Sequence, residues 1–203
     1  MSRTGKKEQD KLDVLLDNAF LLFIENGFSA TTTNMIASKC MISKREIYKF
    51  FPEKKDLYMA VVARNADKVL DIPQQHETMT MQDGLIKIFH LENDSWVDKE
   101  NERYKFLTML LKDGIEHPDI FDAMYASGVI HHRERLLNWM EAQIAAGQLA
   151  PQSPEKLGVI CSMIMDVVFG ALTPKRRARD DFPSRKKHII AALDIILKGI
   201  NVN

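Results

Sequence analysis

Apolar residues recur at helical spacing along almost the whole chain. Leu12, Leu15, Leu16, Ala19, Phe20, Phe23 and Ile24 follow the i, i+3, i+4, i+7 rule of a helix with one inward face. Asn26-Gly27 then supplies a stop, with Gly27 suited to the left-handed position after a helix end. The spacing predicts a first helix of about 15 residues. Thr31, Thr32 and Thr33 offer N-caps for a second, running from Thr33 to about Lys39 with Met35, Ile36 and Ala37. After a break at Cys40-Met41-Ile42, Ser43 and Glu46 fit the S-x-x-E capping box, which predicts a third helix from Ser43 to about Phe50. Pro52 ends that helix and opens a fourth, carried by Leu57, Tyr58, Val61 and Val62 to about Leu70. Pro73 and the polar run 74–78 mark a linker. Later helices are expected at roughly 81–98, 101–115, 118–147, 154–172 and 184–200, with Gly128 placed to kink or split the 118–147 segment. No stretch alternates as a strand does. The pattern predicts an all-α chain of about nine helices.

Composition narrows the class. Of 203 residues, 45% are hydrophobic and 28% charged, with nine Gly and seven Pro, which excludes collagen-like, disordered and turn-rich all-β chains. The basic N-terminus lacks an uninterrupted apolar run, because Asp13 and Asp17 cut the next one, so a cleaved signal peptide is not expected. The longest apolar stretch, from Gly158 to Leu172, contains Asp166 and falls short of the roughly 20 residues of a membrane span. A soluble, cytoplasmic protein with no membrane partner is expected. Cys40 and Cys161 form no CxxC and read as small buried hydrophobes, and His131 and His132 diverge on a helix. Neither a metal site nor a cofactor is expected. No activated nucleophile, paired-carboxylate motif or phosphate loop points to an enzyme.

The helix pair Thr33–Lys39 and Ser43–Phe50, joined by a tight break, has the helix-turn-helix layout, in which the second helix enters the DNA major groove. Residues 15–62 resemble the DNA-binding domain of TetR/AcrR-family transcriptional regulators. The resemblance rests on Ala19, Phe23, Gly27-Phe28, Thr31-Thr32, Ile36-Ala37, Ser43-Lys44, Ile47-Tyr48, Phe51, Lys54 and Leu57, matched without gaps over about a quarter of the chain. Two positions depart from the family pattern. Met41 stands where the family usually has a turn glycine, the residue that reaches positive φ without cost. Arg45 replaces a small residue and should project into the groove.

Lys44 and Arg45, in the first turn of the third helix, and Lys49 one turn on suit guanine O6 and N7. Asn34 reaches a base edge or a phosphate, and Ser43 sets the helix start. Glu46 is expected in the capping box rather than on cytosine. The resemblance makes Tyr48 and Lys54 phosphate contacts, and Thr33 lies where a helix N-terminus meets phosphate. Lys54 and Lys55 also oppose the dipole at the start of the fourth helix, a disadvantage that a phosphate would reverse.

The resemblance further implies an N-terminal DNA-binding domain over residues 1–52 and a helical ligand-binding and dimerisation domain over 53–203. The last two helices, about 154–172 and 184–200, would pair with those of a second copy, and their wide apolar stripes need cover on two sides. Two recognition helices related by a two-fold axis would read a pseudo-palindromic double-stranded operator. A small hydrophobic or amphipathic effector would enter a pocket for which Phe89, Trp96, Phe106, Met109, Met124, Tyr125 and Met163 are the lining candidates. The expected function is a homodimeric repressor released from DNA by that effector. The basic stretch 174–187 reads as a solvated loop.

Charge fits this reading by position, not by sum. The chain has 28 Lys plus Arg and 28 Asp plus Glu, but residues 39–55 hold six basic residues against two acids. A small basic head sits in an otherwise mildly acidic chain.

Overall fold

The computed structural model describes residues 3–73, 79–92, 101–171 and 182–201. These form ten α-helices and no strand: α1 (Arg3–Ala30), α2 (Thr33–Cys40), α3 (Lys44–Phe50), α4 (Lys54–Arg64), α5 (Met81–Ile88), α6 (Glu102–Glu116), α7 (Pro118–Ala126), α8 (His132–Ala145), α9 (Pro154–Gly170) and α10 (Phe182–Asn201). A short 3-10 turn, Ala66–Lys68, follows α4. The all-α expectation holds, with four differences in the elements, the first being that α4 ends at Arg64, short of the expected Leu70.

The first helix starts at Arg3, well before the apolar period begins, because its opening turns are made of polar helix formers that need no buried face. Gly27 interrupts its far end with φ 77° and ψ 174°. The segment expected over 118–147 is two helices, parted where Gly128 takes φ 81°. Helix α5 closes at Ile88, where His90 adopts φ 53° and the Leu91 N–H returns to the Ile86 carbonyl at 2.8 Å. Trp96 and residues 174–181 of the basic loop lie outside the described residues.

The chain forms two compact units, one of residues 1–66 with 105–130, the other of 67–104 with 131–203. In the first, Leu15, Ala19, Phe20 and Phe23 of α1 are buried with Ile36 of α2, Ile47 of α3 and Leu57, Tyr58 and Val61 of α4. Phe106 of α6 meets Phe20 edge-on, with ring centroids 5.6 Å apart. Arg64 ties α4 to α1 through Asp13 at 2.5 Å and Asp17 at 3.3 Å. The helix-turn-helix is thus built into one body with α4, most of α6 and α7.

In the second unit α9 packs on α8 and α10, and α10 on α5. Ile160, Ile164 and Val168 of α9 and Ile189, Leu193 and Leu197 of α10 are buried, whereas Val159, Met163 and Ile195 on the same two helices are exposed. A Cβ built on Gly170 would meet no atom within 4 Å. Both cysteines are buried free thiols. No described helix is long and apolar enough to cross a membrane.

Candidate nucleic-acid interface

The start of α2 is fixed by Thr32, whose side-chain oxygen accepts the Met35 N–H at 3.2 Å. Thr33 is therefore the first residue of the helix, half-buried, and Asn34 after it is exposed. Thr31 is buried, its hydroxyl directed to the Gly27 and Leu22 carbonyls at 2.8 and 3.1 Å. This neighbour of the cap holds the end of α1 against α2.

The turn between α2 and α3 has Met41 at φ 53°, ψ 40°, and the Ile42 N–H closes it on the Ala37 carbonyl at 3.0 Å. Met41 thus takes the left-handed conformation that a glycine would adopt at no steric cost. Its side chain is 92% exposed.

Ser43 and Glu46 form the capping box. The Glu46 N–H donates to Ser43 Oγ at 3.2 Å, and the Ser43 N–H donates to Glu46 Oε2 at 3.0 Å. The Ser43 backbone donor, helped by Lys11 at 3.2 Å on Oε1, holds the Glu46 carboxyl below the usual carboxylate range. Glu46 is occupied at the helix start, as its place in the motif predicts.

With that start fixed and Ile47 buried, α3 turns Lys44, Arg45, Tyr48 and Lys49 outward, all four exposed. Arg45 and Lys49 stand one turn apart on the face opposite Ile47. Tyr48 is 47% exposed. The outward face of α3 is cationic and carries one aromatic hydroxyl, the equipment for guanine edges and phosphate oxygens.

Lys54 is placed differently from these. Its ammonium donates to the Phe28 carbonyl at 2.7 Å and the Thr31 carbonyl at 3.0 Å, and lies 4.1 Å from the centre of the Phe28 ring. Burial lowers its pKa, opposed by the charge of Asp113. The dipole argument for Lys54 and Lys55 also meets an answer inside the protein. Asp56 accepts the Glu53 N–H at 3.0 Å, and Lys55 pairs with Glu53 at 3.2 Å. The start of α4 has its acids, and Lys54 closes carbonyls of Phe28 and Thr31 at the end of α1.

A residue that the motif does not contain joins this corner. Asp113 of α6 is 1% exposed. It accepts the Phe28 N–H at 3.1 and 3.3 Å and the Tyr58 hydroxyl at 2.8 Å. Burial first, then Asp113, raises the Tyr58 pKa. His117 adds a second link, with Nε2 2.6 Å from Ser29 Oγ. A carboxylate on the buried face of α6, in line with Phe106, Met109 and Leu110, is the sequence signal for this joint.

The described pocket candidates are divided between the two units. Phe106, Met109 and Met124 are buried in the first unit, and Tyr125 there is exposed. Phe89 is buried in the second unit against Phe169, with centroids 6.3 Å apart, and Met163 there is 47% exposed.

Residues 15–61 match the family model described as bacterial regulatory proteins, tetR family. The uncharacterized HTH-type transcriptional regulator YuxN of Bacillus subtilis is 28% identical over 131 residues, which take in 64% of this chain and 38% of that protein. The chain thus spans well under half the length of that relative. Among solved structures, a protein from Mesorhizobium loti assigned to the same family has TM-score 0.70 at 20% identity, with both chains covered completely. The flavonoid-responsive regulator FrrA has TM-score 0.60 at 20% identity, covering 94% of this chain and 97% of its own. Residues 15–61, from α1 to α4, thus match the tetR family model, and the fold of the chain is shared with solved structures assigned to that family.

Proposed function

We propose that the chain binds duplex DNA with α3 in the major groove and acts as a homodimeric repressor that a small molecule releases. The observation that carries this is the outward face of α3. A capped helix, anchored from behind by Ile47, presents Lys44, Arg45 and Lys49 to solvent with Tyr48 beside them. Arg45 and Lys49 read base edges, Lys44 and Tyr48 flank them, and Thr33 and Asn34 at the start of α2 meet the backbone. Lys54 serves by fixing the corner between α1 and α2. Such a protein works beside the chromosome, in the cytoplasm.

Dimerisation through α9 and α10 is supported by Val159, Met163 and Ile195, apolar side chains exposed on helices whose other faces are already buried. The effector reading is supported by likeness of fold to a regulator named for its response to flavonoids, which are small molecules.

Selection of duplexes from a random pool by the full chain tests the reading. An enriched pseudo-palindrome is expected, bound with an affinity that falls steeply as salt rises. Arg45→Ala should weaken binding by about 1–3 kcal/mol and relax the preference at the base pair it contacts. Failure to enrich any duplex overturns the proposal.

A further inference from the structure

A helix lying in the major groove, about 12 Å wide, has a sugar-phosphate strand along each flank. Around α3, Arg45 and Lys49 hold the outward centre, Lys44 and Tyr48 fall to one side, and Glu46 and Phe50 to the other. Among the residues of α3, the phosphate donor Tyr48 lies on one flank and none lies on the other. On the Glu46 flank stand the opening turns of α1. Lys11 Nζ is 3.2 Å from Glu46 Oε1, and Lys7, Glu8, Lys11, Glu46, Lys49 and Phe50 surround an open cleft of about 310 Å³.

We infer that Lys7 and Lys11 of α1 bind phosphates of the DNA strand on that flank. Both are exposed, and they stand one turn apart on one helix face, where like charges repel. The first turn of α1 has no acid and contains Lys6, against the preference of a helix start. A solvated helix gains nothing from either choice; a phosphate strand alongside rewards both. The Lys11–Glu46 pair is no obstacle, because an exposed ion pair is weak and Lys11 can exchange the carboxylate for a phosphate. The cleft leads from these lysines to Lys49, so the surface is continuous with the reading face.

The inference rests on DNA reading by α3, and one experiment separates the two. With the full chain and the duplex it enriches from a random pool, affinity is measured across a KCl series. Lys7→Ala with Lys11→Ala should reduce the slope of log affinity against log salt by about 1.8 per protomer. The affinity ratio between that duplex and a scrambled one should stay unchanged. Lys7→Ala alone, which breaks no ion pair among the described residues, should give about half the change in slope. Replacing both lysines by Arg should restore it. An unchanged slope, or a lost preference for the enriched duplex, overturns the inference while DNA reading by α3 stands. Absence of salt-dependent binding by the unaltered chain overturns both.

Discussion

Met41 carries a conformational cost with no packing return. It holds a left-handed backbone, costing an L-residue roughly 1–2 kcal/mol, and its side chain touches almost nothing. Met41→Gly should raise stability by about 1 kcal/mol after the added freedom of the unfolded chain is subtracted. Urea denaturation checks it; a stability equal to or below that of the parent chain would show the turn to be unstrained. The position was legible in the sequence because the resembled family usually has a turn glycine there, where Met41 now takes positive φ. The partner of Lys54 was not. Its ammonium closes on the Phe28 and Thr31 carbonyls, and nothing in the order of residues says that the end of α1 comes back over the start of α4.

Among the elements, those whose ends are chemically marked were read closely. The Ser43–Glu46 box and the Thr cap before α2 each leave a local signature that survives folding. The opening turns of α1 were missed because an exposed helix leaves no apolar period. The joint at Asp113 was half visible: a carboxylate in an apolar stripe announces a buried partner without naming it. Gly84 sets how near two helices lie. A Cβ there would fall 2.6 Å from Cζ2 and 2.8 Å from Cη2 of Trp139, whose ring is itself buried. Gly84→Ala must therefore push α5 and α8 apart or displace the indole, at a cost of about 1–3 kcal/mol. Denaturation followed by tryptophan fluorescence measures this, and an unshifted midpoint would mean that the indole moves aside freely.

For the folding equilibrium of the whole molecule, the sensitive group is His132 at the start of α8. It is buried with neither ring nitrogen hydrogen-bonded, and burial, reinforced by the charge of Arg135, pushes its pKa down to about 4. In the unfolded chain the ring takes a proton near pH 6.5. The folded state refuses that proton, so the contribution is intact above about pH 6.5 and is lost as pH falls toward 4, in total about 3 kcal/mol. Urea midpoints at about pH 7.5 and about pH 5 should separate for the parent chain and converge for His132→Phe. Equal separation in both would assign the acid limb to other groups.

The buried carboxylate of α6 also limits how such a molecule is re-engineered. Residues 1–52 look like a portable cassette, but the Phe28 N–H is answered by Asp113, Ser29 by His117, and the carbonyls at the end of α1 by Lys54. A graft that stops at residue 52 leaves all three behind and exposes the apolar underside of Phe20 that Phe106 covers. Retargeting to a new duplex is better done by exchanging outward residues of α3 in place, or by transplanting α6 and α7 together with the head.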